Sequence, residues 1–290
     1  MRDDFAVFIL SHGRANRVKT VETLERCKYT GTWYIIVDNE DDQIEQYKKN
    51  WGEEHIIVFN KEEVGKTFDI MDNFTGRGVP TFARNYLYPL AKQLGLTYFL
   101  ELEDDYDMFR QRKMDDNGHF RTIYVRDMDA VVDVYIEFLE KSGAHTVAFA
   151  QTGDLIGGSQ SKVYTDRISR KAMNCFFCKT DRPFQYYGRF NDDVNAYIEN
   201  GKRGMLFFTT ADIVMDQPVT QQTKGGITDA YKLYGTYVKS FYSVMLVPSA
   251  VKISQIGFAH KRIHHVINWE NCVPKIISDK YKKEKNYERN

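Results

Sequence analysis

Short apolar runs alternate with helical patterns along the first hundred residues. Residues 5–10, 33–37, 55–59 and 98–102 are rich in aliphatic and aromatic side chains. This alternation predicts an α/β fold in which helices cover both faces of a mostly parallel, Rossmann-like sheet. Ligands of such sheets bind beyond the carboxyl ends of the strands, so the polar residues that follow the runs are candidate site residues.

Two segments between and after these runs have the spacing of amphipathic helices. One follows Pro80 and reaches Gly95, and the other starts at Met128 and reaches Gly143. Proline in the first turn and glycine just past the last turn are typical of helix ends. We therefore expect a helix before the fourth apolar run and another after it.

Beyond Gly143 the pattern changes. Strand-like segments at 146–150, 174–178 and 205–208 are separated by longer polar loops, which predicts mixed or antiparallel pairing in a C-terminal lobe. Because the chain has no internal repeat and no low-complexity linker, we expect one domain over residues 1–290. Its predicted parts are 1–110, 111–275 and a charged tail at 276–290.

Composition narrows the class of protein. Forty basic and forty acidic residues cancel, which excludes a strongly basic nucleic-acid binder and leaves only a local patch for such a role. Four cysteines are too few for a disulfide scaffold, and Cys175 and Cys178 lack a second pair at zinc-ribbon spacing. Neither a signal peptide nor a membrane-spanning stretch is recognisable. We expect a protein of the reducing cytoplasm with no membrane partner.

The sharpest chemical signal is the end of the fourth run, where Glu103, Asp104 and Asp105 follow one another. Carboxylates this close repel one another, and a divalent cation relieves the repulsion. A small number of oxygen ligands from the protein is enough for Mg²⁺ or Mn²⁺, because phosphate and water fill the remaining coordination positions. The alternative is a solvated acidic turn, but the position after the fourth strand of a βα series favours the cation.

The acidic motif resembles the strand-end Asp-x-Asp of GT-A glycosyltransferases, with Glu103 in the first place. In that fold the cation offsets the charge that builds on the departing diphosphate of a nucleotide sugar. The resemblance implies that Glu103 and Asp105 bind the cation and that residues 1–110 form the nucleotide-sugar half. The implied contacts to the nucleotide sugar are Ser11, Arg14, Asp38, Arg84, Asn85 and Asp104.

A second acidic pair, Asp192 and Asp193, opens a predicted helix that ends at Gly201. The helix dipole favours carboxylates in a first turn, so a capping role is the alternative. Inverting GT-A enzymes carry an acidic pair in this part of the chain, and one carboxylate takes the proton of the acceptor hydroxyl. By that resemblance Asp193 is the general base, Asp192 is the alternative, and residues 111–275 form the acceptor half.

Three histidines lie close together near the end of the chain, between residues 260 and 265. GT-A folds often supply a late histidine as a metal ligand, which makes His264 or His265 the candidate. An ordinary basic patch on an exposed strand is the alternative.

Four segments resemble the bacteriophage glycosyltransferases associated with TET/JBP-type oxygenases: 170–177, 191–195, 235–243 and 262–265. That family implies transfer of a sugar, typically glucose from UDP-glucose, to a 5-hydroxymethylpyrimidine in DNA made by the oxygenase. A base must leave the duplex to react, which requires stacking surfaces and basic side chains. The candidate nucleic-acid contacts are Arg167, Arg170, Lys171, Tyr187 and Arg189.

Three other functions fit parts of the sequence. A GT-A enzyme that acts on a glycan, protein or lipid is the nearest. A nucleotidyltransferase needs a Gly-rich basic loop after the first strand, and Ser11-His12-Gly13-Arg14 is a poor version of one. A non-enzymatic scaffold is disfavoured by the intact carboxylates at 103–105 and 192–193.

Overall fold

The computed structural model describes residues 1–152, 174–217, 234–235, 237–256 and 261–275. Its strands are β1 (Phe5–Leu10), β2 (Thr32–Asp38), β3 (Ile56–Phe59), β4 (Tyr98–Glu103), β5 (Met108–Met114), β6 (Phe120–Tyr124), β7 (Thr146–Gln151), β8 (Phe176–Lys179), β9 (Phe207–Asp216), β10 (Val251–Ile256) and β11 (Arg262–Ile267). Its α-helices are α1 (Lys19–Arg26), α2 (Ile44–Trp51), α3 (Lys61–Gly65), α4 (Thr81–Gln93), α5 (Met128–Ser142), α6 (Asp192–Lys202) and α7 (Lys239–Leu246). Short 3₁₀ helices span Glu53–His55 and Trp269–Cys272.

The first nine strands form one sheet in the order β3-β2-β1-β4-β8-β7-β9-β5-β6. Strands β3, β2, β1 and β4 are parallel, whereas β8 is antiparallel to β4 and the pairing beyond it is mixed. The predicted α/β fold, with a parallel first half and a mixed second half, is confirmed. Because β1, β2 and β4 run in the same direction, Ser11, Asp38 and Glu103 lie at one edge of the sheet.

Burial explains why β1 and β4 lie inside the sheet and not at its edges. Every residue of β1 is buried, and Phe8 packs against Phe99 of β4 with ring centroids 5.4 Å apart. Helices α4 and α5 occupy the two segments with helical spacing. Gly95 and Gly143 follow them with φ of +71° and +67°, a conformation that glycine adopts without strain.

The sequence pattern missed the β5–β6 hairpin, the β10–β11 pair and α7, and it misjudged the length of β9. The β5–β6 hairpin was not predicted because its residues 108–124 are mostly polar and show little alternation. Strand β9 extends to Asp216, well beyond the predicted 205–208. Cys175 and Cys178 are buried free thiols, as expected for a core strand. Within the described segments, no helix is long and apolar enough to cross a membrane.

A small second core holds the C-terminal elements together. Val194 and Ile198 of α6 pack with Val247, Val251 and Cys272. The β10–β11 pair is antiparallel and forms a sheet of its own. Helix α6, which carries the acidic pair, is therefore positioned by both the main sheet and this small core.

Candidate active site at the carboxyl edge of the sheet

Asp104 faces the loop that follows β1. Its Oδ1 accepts a hydrogen bond from Arg14 Nη1 at 2.6 Å, and its Oδ2 accepts one from Ser11 Oγ at 2.5 Å. The hydroxyl of Tyr47 lies 2.7 Å from Ser11 Oγ and accepts the backbone N–H of Arg14 at 2.9 Å. These contacts hold the β1 loop and the guanidinium of Arg14 against the acidic motif.

Both carboxylate oxygens of Glu103 already have protein partners. Oε1 accepts from Arg84 Nη2 at 2.9 Å, and Oε2 accepts from the side-chain amides of Asn174 at 2.7 Å and Gln217 at 3.0 Å. Burial raises the pKa of Glu103 to about 8. Glu103 is therefore an internal member of the site, and its hydrogen bonds would have to rearrange before it could bind a cation.

The carboxylate of Asp105 is less fully hydrogen-bonded than that of Glu103. Its Oδ1 is buried and has no hydrogen-bond partner among the described residues. Its Oδ2 lies 3.8 Å from Arg14 Nη1, and burial raises the pKa of Asp105 to about 6. An inward carboxylate oxygen that lacks a donor fits a cation ligand.

No group of three His, Cys, Asp or Glu side chains within the described ranges is arranged to hold a metal ion. The Asp105 oxygen that lacks a hydrogen-bond donor fits a cation that takes one carboxylate from the protein and its other ligands from phosphate and water.

Arg84 connects the two acidic motifs. It is only 2% exposed, and its three nitrogens each lie 2.9 Å from a different carboxylate. Nε pairs with Glu101, Nη2 with Glu103 and Nη1 with Asp192. The structure thus brings the end of β4 and the start of α6 together around one guanidinium.

Asp38 is held by two basic side chains at the end of β2. His12 Nδ1 donates to Asp38 Oδ2 at 2.7 Å, and Lys61 Nζ lies 2.8 Å from Oδ1. Burial alone would raise the pKa of Asp38, but His12 and Lys61 outweigh it and the pKa lies below its ordinary value. His12 is partly exposed beside the ionised carboxylate, so it can present its other ring nitrogen to a ligand.

The side chain of Asn85 is hydrogen-bonded to the backbone of Thr81 and Tyr186. Its Nδ2 donates to the carbonyls of Thr81 at 3.0 Å and Tyr186 at 3.1 Å, and its Oδ1 accepts the Tyr186 N–H at 3.0 Å. These bonds hold the segment before α6 against α4. A contact to the nucleotide stays a prediction.

The acidic pair stands at the start of α6. Asn191, which precedes the helix, has φ of +55° and makes no side-chain cap. Asp192 is buried against Arg84, whereas Asp193 is half-buried in the same first turn. Asp192 is therefore not a free helix cap, and Asp193 is the more accessible of the two carboxylates.

His265 lies next to Asn191, the residue that precedes α6. Asn191 Nδ2 is 3.1 Å from His265 Nδ1 and also donates to the Lys239 carbonyl at 2.9 Å. The rings of His264 and His265 stack with centroids 4.3 Å apart. A metal-binding role for either histidine stays a prediction.

The predicted nucleic-acid contacts fall in three places. Arg167, Arg170 and Lys171 lie outside the described residues. Tyr187 is half-buried in the segment before α6. Arg189 is 2% exposed and binds Asp72 through two nitrogens at 2.7 and 2.9 Å, so its guanidinium faces the protein interior.

Several site residues were not recognised in the sequence. Lys61 begins the helix after β3, and a polar residue just past a strand was an available signal for it. The remaining ones carry no such signal because they reach the site only through folding. They are Tyr47, Asp72, Asn174 and Gln217.

Three solved structures that are similar to this chain are the following. Glucosyl-3-phosphoglycerate synthase from Mycobacterium tuberculosis, in complex with Mn²⁺, UDP and phosphoglyceric acid, is 8% identical, with 91% of this chain and 86% of that chain covered and a TM-score of 0.41. TarS 1-349 from S. aureus is 11% identical over 83% and 65%, with a TM-score of 0.42. Mannosyl-3-phosphoglycerate synthase from Rubrobacter xylanophilus is 11% identical over 91% and 86%, with a TM-score of 0.45.

Among curated proteins, none matches the chain. One family model does match, over residues 5–226, and it describes a TET-Associated Glycosyltransferase. The matched range contains β1, the acidic motif after β4, Arg84 and the start of α6. This chain belongs to the family of TET-associated glycosyltransferases.

Proposed function

We propose that this protein is a GT-A type enzyme that transfers a sugar, glucose from UDP-glucose, to the hydroxyl of a 5-hydroxymethylpyrimidine in DNA. The observation that carries the proposal is that Arg14, Asp38 and the Asp105 oxygen that lacks a hydrogen-bond donor all lie at the carboxyl edge of the sheet. The name of the family links it to a TET-type oxygenase, and such an oxygenase produces the hydroxymethyl group that would be modified.

The donor side of the site lies in residues 1–110. We assign the nucleoside to the His12–Asp38 pair, because Asp38 is held ionised and His12 is partly exposed beside it. We assign the diphosphate to Arg14 and the cation, Mn²⁺ or Mg²⁺, to Asp105. The cation supplies Lewis-acid stabilisation of the charge on the leaving diphosphate.

The acceptor side begins at α6. The hydroxyl oxygen attacks the anomeric carbon, the bond from that carbon to the diphosphate oxygen breaks, UDP leaves, and the hydroxyl proton passes to the Asp193 carboxylate. Asp193 is the preferred base because Asp192 is buried against Arg84. One displacement of this kind inverts the anomeric configuration.

Exposed aromatic side chains near α6 support an unpaired base as the acceptor. Phe74 is 44% exposed, and its ring stacks on that of Tyr234 with centroids 4.1 Å apart. Tyr237 and Phe241 are also exposed, and Asn191 at the start of α6 donates a hydrogen bond to the carbonyl of Lys239 in α7, the helix that carries Phe241. A flipped pyrimidine could stack on such a surface.

The test is transfer of label from UDP-glucose in the presence of Mn²⁺. We expect wild-type protein to label duplexes that contain 5-hydroxymethylcytosine or 5-hydroxymethyluracil and to leave the same unmodified duplexes unlabelled. Label that appears only on a glycan, protein or lipid, or equally on unmodified DNA, contradicts the proposed acceptor.

The general base is tested in the same assay with Asp193→Ala. We expect the donor KM to stay nearly constant while kcat falls by roughly 10²- to 10⁴-fold, the usual weight of such a base. Asp192→Asn serves as the comparison variant, and normal turnover of Asp193→Ala would move the role away from Asp193.

A further inference from the structure

Arg84 is the only described residue that pairs with both acidic motifs of the site. Its partners are Glu103 at the end of β4 and Asp192 at the start of α6, and a third carboxylate, Glu101, lies beneath them. Residues 84 and 192 are far apart in the chain, so only the folded structure creates this junction.

The junction is rigid for two reasons. A guanidinium is planar and presents its donors in a fixed fork, so Glu103 and Asp192, which accept hydrogen bonds from Nη2 and Nη1, have little freedom to move relative to one another. The group also lies over two aromatic rings, 5.5 Å from the centroid of Tyr186 and 6.0 Å from that of Phe176. Tyr186 in turn donates to Glu101 Oε2 at 3.0 Å.

Little of the Arg84 side chain is accessible to a ligand. Arg84 is 2% exposed, and each of its three nitrogens lies against a carboxylate of the protein itself. A buried charge cluster is a poor way to gain stability, because desolvation of the ions offsets much of their attraction. Its geometry is therefore better explained by the need to hold two elements at a set separation.

We infer that Arg84 is a positioning residue, which sets the distance between the donor side at the end of β4 and the acceptor side at the start of α6. It acts through Glu103 and Asp192, not through contact with the nucleotide. Glycosyl transfer needs this because the acceptor oxygen and the anomeric carbon must be held in line within a fraction of an ångström. The inference rests on the proposed function of the site.

The first test is Arg84→Lys, which keeps the charge but cannot reach three carboxylates at once. We expect kcat for transfer to fall by roughly 10- to 100-fold, the effect of a misplacement of about 1 Å, while the donor KM changes less than about twofold. Arg182→Lys is the matched control. Its guanidinium binds Glu140 and the carbonyls of Leu139 and Ala144 away from the site, so its kcat should stay at the wild-type value.

A double-mutant comparison separates positioning of α6 from a general structural defect. If Arg84 acts by placing the base on α6, Arg84→Lys should reduce kcat far less when Asp193→Ala is already present than in wild-type protein. Equal fold-losses in the two backgrounds, or a donor KM that rises as much as kcat falls, would overturn the inference.

Two controls separate a folding defect of Arg84→Lys from a failure of the proposed function. Should Arg84→Lys fail to fold, as judged by circular dichroism, Arg84→Lys with Glu101→Gln removes one buried carboxylate and carries the same expectation for kcat. If wild-type protein does not modify hydroxymethylated DNA, the proposed acceptor is wrong, and hydrolysis of the UDP-sugar then supplies the same comparison for Arg84. An unchanged kcat in a protein that does modify DNA overturns the role of Arg84 alone.

Discussion

At the scale of the residue, three adjacent acids with the same charge have three different surroundings. Asp104 is bound by Ser11 and Arg14, Glu103 by Arg84 and two amides, and only Asp105 keeps a buried oxygen without a hydrogen-bond donor in the described part of the chain. The resemblance to GT-A enzymes assigned Glu103 and Asp105 to the cation and Asp104 to the nucleotide sugar, but the sequence does not show that Glu103 and Asp105 have different surroundings. The difference lies in their partners, which come from other strands and loops.

His12 makes one residue-scale prediction about pH. Its hydrogen bond to Asp38 raises the pKa of His12 above the ordinary value of 6.5. The pair therefore stabilises the fold fully below that ordinary value, and this contribution is lost as the pH rises through the raised pKa.

We expect His12→Asn to lower the melting temperature more at about pH 5.5 than at about pH 8.5, because a larger fraction of His12 is protonated at the lower pH. The measurement is thermal unfolding of both proteins at the two pH values. An equal loss at both would show that the His12–Asp38 contact does not depend on charge.

At the scale of the element, the loop between α3 and α4 is fastened to the segment before α6. The carbonyls of Asp69 and Ile70 accept the N–H groups of Gly188 at 3.0 Å and Arg189 at 3.1 Å. Asp72 binds the guanidinium of Arg189 and accepts a hydrogen bond from the hydroxyl of Tyr242 on α7. The half-buried carboxylate of Asp72 thus connects this loop to the segment before α6 and to α7.

The prediction for this junction is a loss of stability. Asp72→Ala leaves the buried guanidinium of Arg189 without its counter-charge and should lower the free energy of unfolding by about 3–5 kcal/mol. Arg77→Ala removes an exposed pair with Glu40 in the same loop and should change it by at most about 1 kcal/mol. Urea unfolding measures both, and similar values for the two variants would contradict the assigned role of Asp72.

The same loop carries the exposed ring of Phe74. Stacking of a base on an aromatic side chain contributes about 1–3 kcal/mol, so Phe74→Ala should weaken binding of single-stranded hydroxymethylated DNA by roughly 5- to 150-fold. Phe138→Ala is the control. Phe138 is similarly exposed, but its ring packs on Phe208 at the start of β9. Fluorescence anisotropy with both variants checks this, and equal affinities would remove Phe74 from the acceptor surface.

At the scale of the whole molecule, the parts that the sequence predicts best are those with local signals. The four parallel strands, α4 and α5 follow from apolar spacing and from proline and glycine at helix ends. The order of strands beyond β4 does not follow from such spacing, because β8 and β9 are inserted between elements that are distant in the chain. The polar β5–β6 hairpin was missed for the related reason that its pairing, not its periodicity, defines it.

The candidate site also contains residues that the sequence predicts and partners that it does not. Its strand-end residues were predictable because parallel strands bring their carboxyl ends to one edge. The partners that define their roles were not, since Arg84 meets Asp192 across 108 positions and Glu103 meets Gln217 across 114. Charge and spacing therefore predicted which polar residues lie at the carboxyl ends of the parallel strands, and folding determined what each of them contacts.

We propose that Asp105 holds a divalent cation against the diphosphate of the donor. Calorimetric titration of UDP into the protein with and without Mn²⁺ tests it most directly, with Asp107→Ala as the control because Asp107 is a neighbouring carboxylate paired with Lys19. We predict Mn²⁺-dependent binding for wild-type protein and Asp107→Ala, and none for Asp105→Ala. Unchanged affinity of Asp105→Ala for UDP in Mn²⁺ would contradict the account.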